Sequence, residues 1–131
     1  MEHDNVNHPK HYMEGFAPVN IECIDITRHM SFCLGNAFKY VWRAGKKGGK
    51  EKAIEDLEKA KWYLIEASRQ NERGMCSKYE VEGMRAARAV FGLLSCDYSE
   101  RYCALSQIVR GNTGLATMNI DRMIDEEEGA V

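Results

Sequence analysis

The 131-residue sequence lacks the features that mark several common classes of protein. No apolar run reaches the length of a membrane-spanning helix, and the polar N-terminal residues MEHDNVNHPKHY do not resemble a signal peptide. The five cysteines are odd in number and include no C-x-x-C pair, which disfavours a disulfide framework or a zinc site. We therefore expect a cytoplasmic protein with reduced thiols, no membrane contact and no structural metal.

The alternating pattern of β-strands is also absent, and the two halves of the chain show no self-similarity. Hydrophobic residues at 44% and charged residues at 29% are ordinary values for a globular domain. Apolar residues recur at helical spacing, which predicts an all-α fold, a small helical domain built around a central antiparallel helical hairpin. One helix, over residues 21–30, is predicted before the hairpin, and alone it would cover little of the hairpin's apolar surface. We expect C-terminal helices or a second subunit to complete the core, and hence a homo-oligomer.

This pattern divides the chain into three parts. Residues 1–20 form an N-terminal arm and loop, residues 21–72 a helical core, and residues 73–131 a C-terminal helical region that includes a helix near residues 79–94. The boundary is drawn at the sequence Asn-Glu-Arg-Gly over residues 71–74, because such residues are typical of a loop between helices.

The first arm of the hairpin places four polar side chains on one face. They stand at positions i, i+3, i+4 and i+7 and are Asn36, Lys39, Tyr40 and Arg43. Gly45 is expected to end this helix in the left-handed conformation, with the two lysines of the following loop, Lys46 and Lys47, near the negative helix end. The second arm carries a matching polar stripe, made of Lys52, Asp56, Lys59 and Tyr63. Facing stripes on antiparallel helices would enclose a small polar pocket.

The charge of this pocket points to an anionic ligand. Residues 39–61 hold eight basic and four acidic residues, although the whole chain has a formal charge of −2. Arginine offers a bidentate fork and lysine a point charge, so phosphate is the simplest ligand, and Tyr40, Trp42 and Tyr63 could stack on a base. The alternative is that the loop is a solvated turn and the second arm an ordinary salt-bridged surface helix.

Four sequence words carry a family resemblance: PKHY at 9–12, IECID at 21–25, FCLGNAFKYVWRAGKKGG at 32–49 and EDLEKAKWYL at 55–64. In this order they resemble a family of small bacteriophage proteins of unknown function, often labelled SaV-like, over residues 8–66. One similar member is a coliphage nucleotide kinase that acts on deoxynucleoside monophosphates without a Walker motif. The resemblance and the facing polar stripes together imply a nucleotide-binding site formed by the following residues: His11, Tyr12, Asn36, Lys39, Tyr40, Arg43, Lys46, Lys47, Lys59 and Tyr63.

Three functions compete at this point. The first is kinase-like phosphoryl transfer in the host cytoplasm with ATP and Mg²⁺ as cofactors, in which Asp56 would be the catalytic residue that holds Mg²⁺ or the accepting phosphate. RAGKKGGK is not a P-loop, because its glycines are wrongly spaced and no Ser or Thr follows the lysine. The second is sequestration of a nucleotide without cofactors, for example a host signalling nucleotide, as an anti-defence protein.

The third function is a helical nucleotide pyrophosphatase, in which paired carboxylates such as Glu22 and Asp25 would hold Mg²⁺. Nucleic-acid binding is disfavoured, because the basic cluster is short and the net charge is negative. Under either nucleotide-binding hypothesis, charge removal at Lys39 and Arg43 is expected to abolish binding and leave the fold intact.

Overall fold

The computed structural model of the protein describes residues 22–74 and 99–129, and over these ranges the chain is helical and contains no strand. The prediction of an all-α fold is confirmed there. The described helices are α1 (Cys23–Thr27), α2 (Phe32–Arg43), α3 (Lys50–Arg69), α4 (Glu100–Arg110) and α5 (Thr113–Glu127). The predicted N-terminal arm with His11 and Tyr12, and the helix predicted near residues 79–94, lie outside the described residues.

Helix α1 is shorter than the predicted helix over residues 21–30. It begins after Glu22, whose backbone N–H donates to Asp25 Oδ2 at 2.9 Å, while Asp25 Oδ1 accepts from Arg28 at 3.3 Å. A carboxylate three residues into a helix commonly holds the helix start in this way. The Asp25 carboxylate predicted as one half of a Mg²⁺ pair is therefore engaged in local structure.

The first amides of α2 donate to the carboxylate of Glu72, which follows the C-terminal end of α3. Glu72 Oε1 accepts hydrogen bonds from the backbone N–H groups of Cys33 at 3.0 Å and Leu34 at 3.1 Å. Burial by itself raises the pKa of Glu72, but the hydrogen bonds that it accepts outweigh burial and lower the pKa below its usual value. Glu72 thus satisfies amides that the helix cannot pair internally.

The other end of α2 is fixed by a residue from α4. Gly45 adopts a φ of +82°, as predicted for the residue that turns the chain out of this helix. The Arg101 guanidinium donates to the carbonyl oxygens of Val41 and Trp42, both at 2.9 Å, and of Ala44 at 2.7 Å. The C-terminal region therefore stabilises the point from which the lysine-rich loop leaves α2.

Helices α2 and α3 run antiparallel, because the start of α2 meets Glu72 after the end of α3, while Arg43 at the end of α2 pairs with Asp56 in the first half of α3. Their apolar sides join α4 and α5 in one core. Its largest fully buried apolar side chains are those of Trp42, Phe38, Ile26, Leu34, Leu57, Leu64, Leu105, Ile108 and Ile120. The C-terminal helices thus supply much of the missing cover, while the predicted homo-oligomer stays a prediction.

Within the described part of the chain, no helix combines the length and the apolar character needed to cross a membrane.

Candidate functional site

The polar faces of α2 and α3 meet around one tyrosine. The ring of Tyr40 stacks on that of Tyr63 across the two helices, with centroids 5.9 Å apart and planes 15° from parallel. Three cationic groups lie over the same Tyr40 ring, Lys39 Nζ at 4.7 Å, Arg43 Cζ at 4.6 Å and Lys59 Nζ at 5.6 Å from its centroid. We call this group of five residues the cation–tyrosine cluster.

The electrostatics of the cluster favour an anion. The face of an aromatic ring attracts each cation, but three like charges around one ring also repel one another. Glu55 offsets one of them, since its Oε1 lies 3.0 Å from Lys59 Nζ, and this hydrogen bond raises the pKa of Lys59. A phosphate placed between the cations would relieve the remaining repulsion and would accept their hydrogen bonds.

Asp56 contacts the cluster from its buried side. It is the buried charged residue of the described core, with 1% of its surface exposed, and its Oδ1 accepts from Arg43 Nη2 at 3.1 Å and lies 3.5 Å from Lys52 Nζ. The Arg43 side chain is only 20% exposed as a result. Because Arg43 is the partner of a buried carboxylate, its removal is expected to carry a structural cost, which the sequence did not predict.

A cleft of about 340 Å³ opens beside this ion pair, and we call it the Arg43 cleft. Its lining residues are Arg43, Lys47, Gly48, Lys52 and Asp56. Gly48 has a φ of +82°, and a Cβ at this position would come within 2.8 Å of Lys52 Cβ, so glycine lets the loop close over the start of α3. Among the described residues that line it, three are cationic and none is aromatic.

A second cleft of about 250 Å³, the Asn36 cleft, lies at the other end of the same helix face. Its lining residues are Thr27, Met30, Ser31, Phe32, Gly35, Asn36 and Lys39. Asn36 donates from Nδ2 to the carbonyl oxygen of Phe32 at 2.8 Å, and its side-chain oxygen remains able to accept a hydrogen bond. Lys39 links this cleft to the cation–tyrosine cluster.

The aromatic residues divide differently from the sequence prediction. Trp42, expected to stack on a base, is fully buried in the core, because its position on α2 belongs to the apolar stripe. Phe32 and Trp62 are instead 73% and 58% exposed, and both rings meet the ring of Tyr63 edge-on, at centroid distances of 6.2 Å and 5.1 Å. An exposed aromatic platform therefore continues outward from the Tyr40–Tyr63 stack.

The structure gathers most of the predicted binding residues and sets one apart. Asn36, Lys39, Tyr40, Arg43, Lys47, Lys59 and Tyr63 follow one continuous surface. Lys46 leaves this surface, with its Nζ 5.1 Å from the centroid of Trp42. Phe32 and Arg101 were not predicted from the sequence. The position of Phe32 four residues before Asn36 could have indicated its place on this face, whereas Arg101 lies about 60 residues from its hydrogen-bond partners.

Two observations in the described ranges, 22–74 and 99–129, bear on metal and thiol chemistry. No group of three or more His, Cys, Asp or Glu side chains there could hold a metal ion. Burial raises the pKa of Cys23 to about 12, and burial together with Glu72 raises that of Cys33 to about 11. Both thiols are therefore protonated near neutral pH and are poor nucleophiles.

Comparisons with known proteins show which part of the chain is similar to other sequences. The model of a protein family of unknown function (DUF3310) matches residues 6–65, nearly the same residues that resemble phage proteins. The chain is also similar to the Gene 1.7 protein of Enterobacteria phage T3, with 39% identity over 79 residues. That match covers 55% of this chain and 45% of the relative, so the chain spans less than half of that protein. No solved structure matches.

Proposed function

We propose that the chain is a phage-type nucleotide-binding protein that holds the phosphates of its ligand on the cation–tyrosine cluster. The observation that carries the proposal is the convergence of Lys39, Arg43 and Lys59 on the single ring of Tyr40. Like charges held this close repel one another unless an anion or a carboxylate compensates them. Here Glu55 and Asp56 compensate in part, and a phosphate completes the balance.

The rigidity of Arg43 supports phosphate recognition. Its guanidinium is tied to the buried carboxylate of Asp56, so the side chain is oriented before a ligand arrives. Preorganised donors bind more tightly, because less conformational entropy is lost on binding. Tyr63 and the exposed ring of Phe32 add a surface on which a base can stack.

The reaction that we propose for this site is kinase-like transfer of a phosphoryl group from ATP to a nucleoside monophosphate. The cluster would neutralise the phosphates, Lys47 and Lys52 would add charge in the Arg43 cleft, and Mg²⁺ would enter with ATP. The relative in phage T3 and the matched family support a phage role, and the resemblance to a phage kinase supports this chemistry.

Sequestration of a nucleotide is the second candidate, and one observation favours it. Asp56, the carboxylate assigned to catalysis, already pairs with Arg43 and Lys52. A carboxylate in this position can orient a cation for binding without taking part in chemistry. The pyrophosphatase alternative has less support, because Asp25 caps α1 and Asp56 pairs with cations.

Removal of two lysines from the cluster is expected to abolish nucleotide binding. In the variant Lys39→Gln/Lys59→Gln two charge-assisted hydrogen bonds to phosphate are lost, which predicts a loss of affinity of about 100-fold. Arg43 is left in place because its loss would disturb Asp56. The measurement is calorimetric titration of the wild-type protein and the variant with ATP and with the four deoxynucleoside monophosphates.

The matched control is Arg69→Gln/Arg110→Gln, which removes the same charge from exposed positions at the ends of α3 and α4. It should bind nucleotides within about twofold of the wild-type protein, and circular dichroism should show native helix content in both variants. Equal affinity of the two double variants for the nucleotide would place the binding site elsewhere, and failure of the wild-type protein to bind any of the five nucleotides would refute the proposal.

A further inference from the structure

The two clefts lie on one face of α2 and differ in chemistry. Asn36 and Arg43 are seven residues apart, which is about 10 Å along a helix, and Phe32 and Arg43 are about 16 Å apart. The Asn36 cleft has an aromatic ring and an amide, the groups that proteins use to stack on a base and read its edge. The Arg43 cleft has cations and a glycine loop, the groups that hold phosphate.

A cationic path joins the clefts. Lys39 lines the Asn36 cleft and Arg43 lines the other, and both charges lie within 5 Å of the Tyr40 ring centroid between them. A chain of phosphates laid across Tyr40 would therefore meet a cation throughout its course. A nucleoside monophosphate carries its phosphate next to the ribose, so with its base in the Asn36 cleft it would reach Lys39 but not Lys47.

We propose that the ligand is a nucleoside polyphosphate, with its base against Phe32 in the Asn36 cleft and its phosphate chain running over Tyr40 into the Arg43 cleft. This inference rests on the proposed function and assigns the triphosphate site within it. Phe32 becomes the base platform, although 73% of its surface is exposed to solvent. Lys47 becomes the group that binds the terminal phosphate.

Two single variants and three probes test the assignment. The probes are AMP, ATP and inorganic tripolyphosphate, and their affinities are measured by calorimetry for the wild-type protein, Phe32→Ala and Lys47→Ala. Both substitutions change exposed side chains, so both variants should fold. The comparison of AMP with ATP does not depend on the preferred base, because both probes carry adenine.

The wild-type protein is expected to bind ATP at least about tenfold more tightly than AMP, since added phosphates gain charge-assisted hydrogen bonds. Lys47→Ala should lower the affinity for ATP about tenfold and should change the affinity for AMP by less than about twofold. Phe32→Ala should weaken AMP and ATP alike by at least about fivefold through loss of stacking, and should leave tripolyphosphate unchanged.

Equal affinities of AMP and ATP for the wild-type protein would overturn the assignment, as would a Phe32→Ala variant that binds ATP normally. Either result would leave the proposed function standing, because nucleotides would still bind the cluster. If the wild-type protein binds none of the three probes, and none of the deoxynucleoside monophosphates, the proposed function fails as well. Arg69→Ala, at a 71% exposed side chain on the last turn of α3, serves as the control and should leave all three affinities unchanged.

Discussion

Replacement of Asp56 by alanine is expected to lower the free energy of unfolding by about 3 kcal/mol, because it removes one partner of a largely buried ion pair and leaves Arg43 without its carboxylate. The substitution also leaves a small cavity beneath the cluster. Asp56→Asn keeps the shape and an acceptor oxygen, so it should cost less, about 1–2 kcal/mol. Urea unfolding followed by circular dichroism measures both values.

The neighbouring carboxylate provides the control. Glu55 pairs with Lys52 and Lys59 on the same helix, but its side chain is 54% exposed, and Glu55→Ala should therefore destabilise the protein much less than Asp56→Ala does. A similar cost for Glu55→Ala and Asp56→Ala would show that the Asp56–Arg43 pair contributes no more than a surface salt bridge.

The Asp56→Asn variant also separates the two roles considered for this carboxylate. If Asp56 positions Arg43, the variant should lose nucleotide affinity in EDTA as well as in Mg²⁺, by roughly tenfold for one weakened phosphate contact. If Asp56 is a metal ligand, affinity in EDTA should be unchanged and only the Mg²⁺-dependent part should fall. The second outcome would support the catalytic role predicted from the sequence.

Replacement of Arg101 by methionine is expected to destabilise the protein by about 3 kcal/mol, because the carbonyl oxygens of Val41, Trp42 and Ala44 lose their shared donor. The effect on hydrogen exchange at the C-terminal end of α2 should be larger than the effect on the stability of the whole protein. The amide of Ala44 donates to Tyr40 at 3.0 Å and that of Lys46 to Arg43 at 2.9 Å, and both should exchange their hydrogens faster in the variant.

Two comparisons make this prediction specific. The Leu34 amide, which Glu72 holds at the opposite end of α2, should keep its protection from exchange in Arg101→Met. Arg110→Met, at an exposed position at the end of α4, should leave hydrogen exchange in α2 unchanged. It should change the free energy of unfolding by no more than about 0.5 kcal/mol. Uniform loss of protection along α2 in Arg101→Met would mean that Arg101 stabilises the whole core and does not act at the helix end.

The sequence was sufficient to predict what depends on periodicity. Helical spacing placed Lys39, Tyr40 and Arg43 on one face, and the glycine at position 45 marked the end of that helix. The same spacing places Trp42 four residues after Phe38 on the apolar face of the helix, so its register argued against the stacking role that its aromatic ring suggested.

Long-range contacts could not be predicted in this way. The residues around Arg101 do not show that it donates to the last carbonyl groups of α2, and those around Glu72 do not show that it accepts from the first amides. Each of these contacts joins residues far apart in the chain. Asp56 illustrates the same limit at shorter range. Lys52 and Lys59, four residues before it and three after it, suggested a surface salt bridge. The pair with Lys52 is present at 3.5 Å, but burial also makes Asp56 the anchor of Arg43.

Direct recovery of the bound nucleotide tests the central claim. The purified protein is incubated with ATP, Mg²⁺ and a panel of nucleoside monophosphates and signalling nucleotides, separated from the unbound pool by ultrafiltration and denatured, and each released molecule is identified by mass spectrometry. We predict a phosphate-bearing nucleotide close to one per chain from the wild-type protein and little from Lys39→Gln/Lys59→Gln, with new diphosphates if the site transfers phosphoryl groups. Absence of any retained nucleotide, or equal retention by both proteins, would contradict the account.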